Sequence, residues 1–283
     1  MKIRAAAPIL VLALPCLVLV TCSKGTDIPT PTPVDVYQDM ESGDDGDPLT
    51  STIMNASHHG PGSWDTAGGT LWVSSTHSRS LPGPVMTGGT TYSAGSGTRS
   101  WTFLDGYAQN FVFLTLPSAY SRVTVACYLT VGPTCLFWNQ FDTLAIEGIS
   151  VFSVLQMQGE DTAGPYLRAH SRIADGTSTF SPDKIRVVAG KTYWVNLQYD
   201  GPAGKTRVAA FDPDNGFLQV GSILVADSVF DAAIQYFSCG RCDTHGDNPD
   251  CPTRSYVDDV IIDFTNGVFP LVPGILTGAG SDR

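Results

Sequence analysis

Charge is scarce in this chain: Asp, Glu, Lys and Arg make up 15% of its 283 residues, against about 25% in ordinary soluble domains. Glutamate occurs only at positions 41, 147 and 160. Long charged side chains furnish solvated helix faces, so their shortage disfavours helix, while abundant Gly, Ser and Thr fit strands and turns. Basic residues number 16 against 27 acidic ones, a formal charge of −11. No run of Lys or Arg interrupts that balance, which makes nucleic acid and anionic lipid poor partners. No internal repeat and no second linker is found, so one domain accounts for the bulk of the chain.

At the N-terminus the lack of charge becomes an address. Lys2 and Arg4 precede an uncharged apolar run over residues 5–20 that stops at Thr21-Cys22, the anatomy of a secretory signal. Pro15 and the early stop leave the run short of the ~20 apolar residues of a spanning helix, so residues 1–21 are read as a cleaved signal peptide. Residues 19–22 (LVTC) resemble the lipobox of bacterial lipoproteins, with Thr where a smaller residue is usual. The resemblance makes Cys22 the lipidation site; an ordinary signal with a chance Cys is the alternative. Several acyl chains, at about 0.8 kcal/mol per buried CH₂, anchor a domain firmly. The expected location is therefore the cell envelope, at a periplasmic or extracellular membrane surface, touching the membrane only through the anchor. Residues 22–35, with their Thr/Pro alternation, read as an extended tether. Loss of Lys2 and Arg4 moves the formal charge to −13.

The remaining chain is read as a domain over residues 36–266 and a C-terminal tail over 267–283. Period-two alternation is its main signal. In residues 122–131, Val123, Val125, Cys127, Leu129 and Val131 share one face; in 192–200, Tyr193, Val195, Leu197 and Tyr199 do the same, opposite Thr192, Trp194, Asn196, Gln198 and Asp200. Further strands are predicted at 70–75, 100–103, 110–116, 141–147, 151–157, 166–171, 184–188, 207–211, 217–225 and 255–264. Many short strands separated by turn residues predict an all-β, two-sheet antiparallel sandwich or barrel. Residues 227–237 also fit a helical stripe, and strand is the preferred reading. Residues 42–98 are expected to hold long loops between edge strands.

Seven cysteines reduce to five once Cys16 leaves with the signal and Cys22 is acylated. Cys127 and Cys135 are symmetric about Val131, beside Gly132-Pro133, which predicts a hairpin closed by a cross-strand disulfide worth roughly 2–3 kcal/mol in the chain-entropy model. Cys239, Cys242 and Cys251, with His245 between them, match the ligand types of a zinc site, but an exported address favours disulfides. Cys242–Cys251 and Cys239–Cys251 are the better pairings. Trp194, on the polar face of its strand, and Trp138, after the expected hairpin, are candidate platforms for a sugar ring; core packing is the alternative for each. Asp258 falls in phase with Tyr256, Val260, Ile262 and Phe264, so it is predicted to point inward, where an uncompensated charge is costly.

Residues 36–43 (VYQDMESG) and 256–264 (YVDDVIIDF), with 141–144 (FDTL), 191–200 (KTYWVNLQYD) and 207–212, resemble in order the concanavalin A-like, laminin-G-like jelly roll over about residues 36–265. The resemblance implies two antiparallel sheets with adjacent first and last strands, and a carbohydrate or protein ligand on one face or at the loops. It also implies a structural Ca²⁺ held by Glu41 and Asp258, with Asp39 or Asp259; a turn cap by Asp258 is the alternative. Hydrolases of this fold carry Glu-x-Asp-x-x-Glu on one strand, and none of the three Glu begins that pattern. Lyases of this fold show an Arg-rich strand, Gln-x-His and a late Tyr; only Tyr236, in Gln235-Tyr236-Phe237, echoes this. The expected function is a non-catalytic, surface-displayed binding module for carbohydrate or another extracellular polymer. A polysaccharide-active enzyme and a structural envelope lipoprotein are the alternatives.

Overall fold

The computed structural model describes residues 34–44, 47, 49–66, 85–88, 99–104, 111–131, 140–158, 164–242 and 254–273. The first half of the described chain runs β1 (Val36–Gln38), α1 (Ser51–Ala56), β2 (His58–His59), β3 (Ser63–Thr66), β4 (Val85–Gly88), β5 (Arg99–Leu104), β6 (Val112–Tyr120), β7 (Arg122–Val131), β8 (Gln140–Gly148) and β9 (Val151–Gln158). The second half runs β10 (Tyr166–Ile173), β11 (Ser178–Phe180), β12 (Ile185–Arg186), β13 (Thr192–Asp200), β14 (Lys205–Asp212), β15 (Leu218–Gln219), β16 (Leu224–Asp227), β17 (Ile234–Cys242) and β18 (Arg254–Asp263).

These strands form two antiparallel sheets. The ten-stranded sheet follows the order β15-β14-β13-β7-β18-β1-β2, with β16 on β14 and β5 linking β18 to β4. The eight-stranded sheet follows β11-β10-β9-β8-β17-β6-β3, with β12 on β10. First and last strands are neighbours, Val36 opposite Ile262 and Gln38 opposite Val260, as the jelly-roll resemblance implies. Chain neighbours β7 and β8 lie in different sheets, so the path crosses the sandwich instead of meandering.

Alternation explains the layers. Val123, Val125, Cys127, Leu129 and Val131 of β7 and Tyr193, Val195, Leu197 and Tyr199 of β13 are buried between the sheets. From the other sheet come Leu114, Ile146, Leu155, Leu167 and Phe237. Each fully buried large apolar side chain contributes about 1.5–3 kcal/mol, so the interlayer is the main source of stability. At one end of the stack Ser153 Oγ on β9 meets Thr206 Oγ1 on β14 at 2.5 Å. At the other, Trp64 of β3 meets Trp101 of β5 edge-on, with 4.9 Å between centroids.

Several expectations are corrected. The hairpin expected to be closed by Cys127 and Cys135 runs into residues outside the described ones, Cys135 included; β7 itself pairs with β13 and β18, the next described strand belongs to the other sheet, and Cys127 is buried. Asp258 does not share a face with Val260 and Ile262, because the β18–β7 register shifts between Asp258 and Ile261, with Asp259 at φ 47°. That bulge changes the phase of the strand: before it Val257 is in the core, after it Val260 and Ile262, and Asp258 sits opposite Tyr128. The 217–225 segment splits into β15 and β16, and residues 228–233 are irregular between β16 and β17.

A helix also stands where loops were expected. Six residues are too few to hold a helix alone; Thr50 caps α1 through Ile53 N at 3.3 Å, Met54 is buried, and Asn55 ties it to β3. Asn55 Nδ2 donates to Trp64 O at 2.9 Å and its Oδ1 accepts from Trp64 N at 2.9 Å. The predicted strand at 70–75 lies outside the described residues.

Candidate functional site

A sandwich has two outer faces, and here they differ. On the ten-stranded sheet the outward residues include Ala126, Trp194, Ala209, Phe211 and Ile261, and the segment from Val268 to Val272 lies across them, burying Leu271. Backbone-to-side-chain bonds hold the segment. Trp194 Nε1 donates to Leu271 O at 2.6 Å, Leu271 N donates to Asn196 Oδ1 at 2.7 Å, and the Asp263 carboxylate caps Asn266 N and Val268 N at 2.8 Å each. Residues placed in the C-terminal tail by sequence are thus a strap that completes this layer.

The outer face of the eight-stranded sheet carries different chemistry. On β10, Leu167 and Ala169 enter the core, so Tyr166, Arg168, His170 and Arg172 alternate onto the other side. Register sets Arg168 beside Gln156, His170 beside Val154, Arg172 beside Phe152 and Tyr166 beside Gln158. Arg186 pairs with Tyr166 and Phe180 with His170. Further across the sheet Glu147 lies between Phe152 and Tyr236. The cations sit over rings: Arg168 Cζ is 4.2 Å from the Phe180 centroid, Arg172 Cζ 4.8 Å from Phe152, and Lys184 Nζ 4.1 Å from Tyr166. His170 stacks on Phe180 at 4.1 Å, 11° from parallel. Such contacts are worth about 0.5–2 kcal/mol each and fix a long side chain in place.

The centre of this face is held tightly. Gln156, Glu147 and His170 are 1%, 4% and 5% exposed. Gln156 Nε2 lies 3.5 Å from His170 Nδ1, Ser238 Oγ donates to Glu147, and Tyr166 OH donates to Gln158. Among the described residues Arg168 Nε is buried without a hydrogen-bond partner, a cost unless something completes its shell. Two arginines with planar donor forks are suited to carboxylate or sulfate groups, and Phe180, 37% exposed, offers flat apolar surface beside them.

The predicted site residues are scattered over the molecule. Tyr236 lies on this face, half-buried and edge-on to Phe113 at 6.3 Å. Trp194 lies on the opposite outer face, 2% exposed beneath the strap, and is no open platform. Trp138, Cys22, Cys135 and Cys251 lie outside the described residues, and Cys242 ends β17. Of the acids expected to bind calcium, Asp39, Asp258 and Asp259 are buried near the β1–β18 junction while Glu41 is half-buried. Among their bonds, Asp39 Oδ1 accepts from Glu41 N at 3.1 Å, Asp258 Oδ1 from Asp259 N at 2.9 Å, and Asp259 Oδ1 from Tyr37 OH at 2.9 Å. Among the described residues no group of three or more His, Cys, Asp or Glu side chains is placed to hold a metal ion. Burial, with Asp259 and Asp258 nearby, pushes the Tyr128 hydroxyl up to about 12.

Arg168, His170 and Arg172 form no contiguous basic run, so composition alone does not mark them. The signal was present as R-x-H-x-R within residues 168–172: period two on a predicted strand puts all three on one side.

No family model and no curated protein matches the chain. Similar solved structures include "Cellulose induced protein, Cip1", at 14% identity and TM-score 0.48 over 81% of this chain and 97% of that one. Another is alginate lyase Aly36B, at 11% identity and TM-score 0.49 over 82% of this chain and 98% of that one. A third is the botulinum neurotoxin serotype C1 binding domain, at 8% identity and TM-score 0.42 over 65% and 45%. The strand order and registers, more than these overlaps, define the class: a two-sheet antiparallel β-sandwich of the jelly-roll, concanavalin A-like kind.

Proposed function

We propose that the chain is a non-catalytic binding module for an acidic polysaccharide, which lies across β10 and β9 on the outer face of the eight-stranded sheet. One observation carries the reading. A chain of formal charge −11 sets Arg168, His170 and Arg172 at alternate positions of a single strand, with Lys184 against the adjacent Tyr166 ring. The partly exposed arginines pair with carboxylate or sulfate groups, Tyr236 and Phe180 supply flat surface, and Gln158 supplies a neutral polar group. With Cys22 acylated, the module is displayed at a membrane surface. Mass spectrometry of the N-terminal peptide checks that address, and an unmodified thiol at Cys22 contradicts it.

The test of the ligand is titration calorimetry of the protein against a uronate polymer, a sulfated polymer, a neutral glucan and single-stranded DNA, with product assays run alongside. Binding to an acidic polysaccharide without cleavage, weakening as salt rises, is the expected result. Cleavage makes the protein an enzyme on the same face. Equal binding to the neutral glucan, preference for DNA, or no binding at all rejects the proposal.

A further inference from the structure

Cys127 and Cys239 are the two described cysteines with no exposed surface, and both belong to the main core cluster. They come from the middle of different sheets. Ser153 on Thr206 and Trp64 on Trp101 fix the two ends of the stack; β17 and β7 are interior strands of their sheets between those ends, and so face one another. In register, Cys239 is flanked by Leu144 and Val112, and Cys127 by Val195. Every one of those neighbours is apolar and fully buried. Both are thiols in this structure.

We propose that Cys127 and Cys239 are joined in the mature protein by a disulfide that crosses the core and links the two sheets. The inference is independent of the ligand reading. Burial, and for Cys239 the neighbouring Cys127 sulfur, raises the thiol pKa far above its ordinary value; for Cys127 burial acts first and Asp258 second. A thiolate is the attacking species, so the bond forms before the sheets close over the pair. The co-reactant is a disulfide oxidant, a protein carrier in an exported compartment or oxidised glutathione in vitro. One thiolate attacks the oxidant's disulfide and releases one oxidant thiol; the second attacks the resulting mixed disulfide and releases the other. Two electrons and two protons pass from the chain to the oxidant, and one S–S bond replaces another.

The experiment refolds the full chain with oxidised glutathione, blocks free thiols by alkylation in denaturant without reductant, and maps peptides by mass spectrometry. A peptide pair linking Cys127 to Cys239 is expected, converted by reductant into two separate peptides. Alkylation of both residues overturns the proposal, as does linkage of Cys127 to Cys135 or of Cys239 to Cys242 or Cys251. Cys239→Ser leaves Cys127 open to alkylation on the proposed pairing. A second readout does not depend on any variant: the urea midpoint of the wild-type chain falls on reduction, and an unchanged midpoint counts against a link between the sheets.

Discussion

The outer face of the ten-stranded sheet and that of the eight-stranded sheet come from the same alternating code and end in opposite states. On the first, a tryptophan, an alanine pair and a phenylalanine are closed off by residues 268–272, whose backbone bonds to Trp194 and Asn196. On the second, two arginines, a histidine and two glutamines stand beside aromatic rings, and Ala145, Phe152 and Val154 make only a small cluster of their own. The first face is apolar beneath its strap; the second buries Ala145, Val154 and Gln156 as well, but leaves Arg168, Arg172 and Phe180 partly exposed along β10 and β11.

The contrast breaks most forcefully at Trp194. Trp194→Ala removes a 2% exposed side chain and the bond that holds Leu271, and is expected to cost about 3–5 kcal/mol of unfolding free energy in urea denaturation. A chain stopped at Asn266 is expected to lose a similar amount. If either variant keeps full stability, the strap is decoration and the two faces are equivalent. Arg168→Ala tests the other side. It is expected to leave the urea midpoint nearly unchanged while weakening acidic polysaccharide binding by about tenfold or more, as loss of a charged hydrogen bond implies. Stability loss without an effect on binding would make β10 a structural strand.

Smaller effects sharpen the picture. At the edge of the covered face, burial opposes ionisation of Asp200, but hydrogen bonds from Arg122 Nε at 3.1 Å and Arg207 at 2.9 Å outweigh it and hold its carboxyl below the ordinary value. A depressed folded pKa stabilises the fold above the unfolded value, about 3.9 for Asp. That share is lost as pH falls through the folded value. Asp200→Asn is therefore expected to flatten part of the acid limb of stability against pH. The smallest expected change is in Tyr236→Phe, which keeps the ring against Phe113 and removes one hydroxyl: about two- to threefold in affinity, with no change in the midpoint of unfolding.

The interlayer core was legible in the sequence because period two is a local property. The segment 192–200 matches β13 residue for residue, and its four predicted inward residues are all in the core. Trp194, a sugar platform or a packed side chain by sequence, is the packed one. Its flanking Thr192, Asn196, Gln198 and Asp200 mark a polar side, and a polar side reads as solvent. Here Asn196 and Gln198 use their polarity on the strap, Gln198 Nε2 donating to Gly267 O at 3.4 Å. Local alternation cannot tell a polar group facing water from one facing another stretch of backbone. The basic row on β10 was legible in principle, since it needs only the strand and its spacing. The course after Val131 was not legible: β7 lies between β13 and β18, and which sheet the next described strand joins is not written in symmetry about one residue.

The irregularity at Asp258 and Asp259 also explains how one strand can serve two neighbours in turn. Its leading residues lie against β5, Val257 opposite Trp101, while its closing ones lie against β1, Ile262 opposite Val36. The extra residue acts like an inserted letter that shifts the reading of everything downstream, so that each part offers its apolar members to the same interior. Deleting that letter would turn one of the two parts inside out, and the chain would have to give up either the closure of its ends or the anchorage of Trp101.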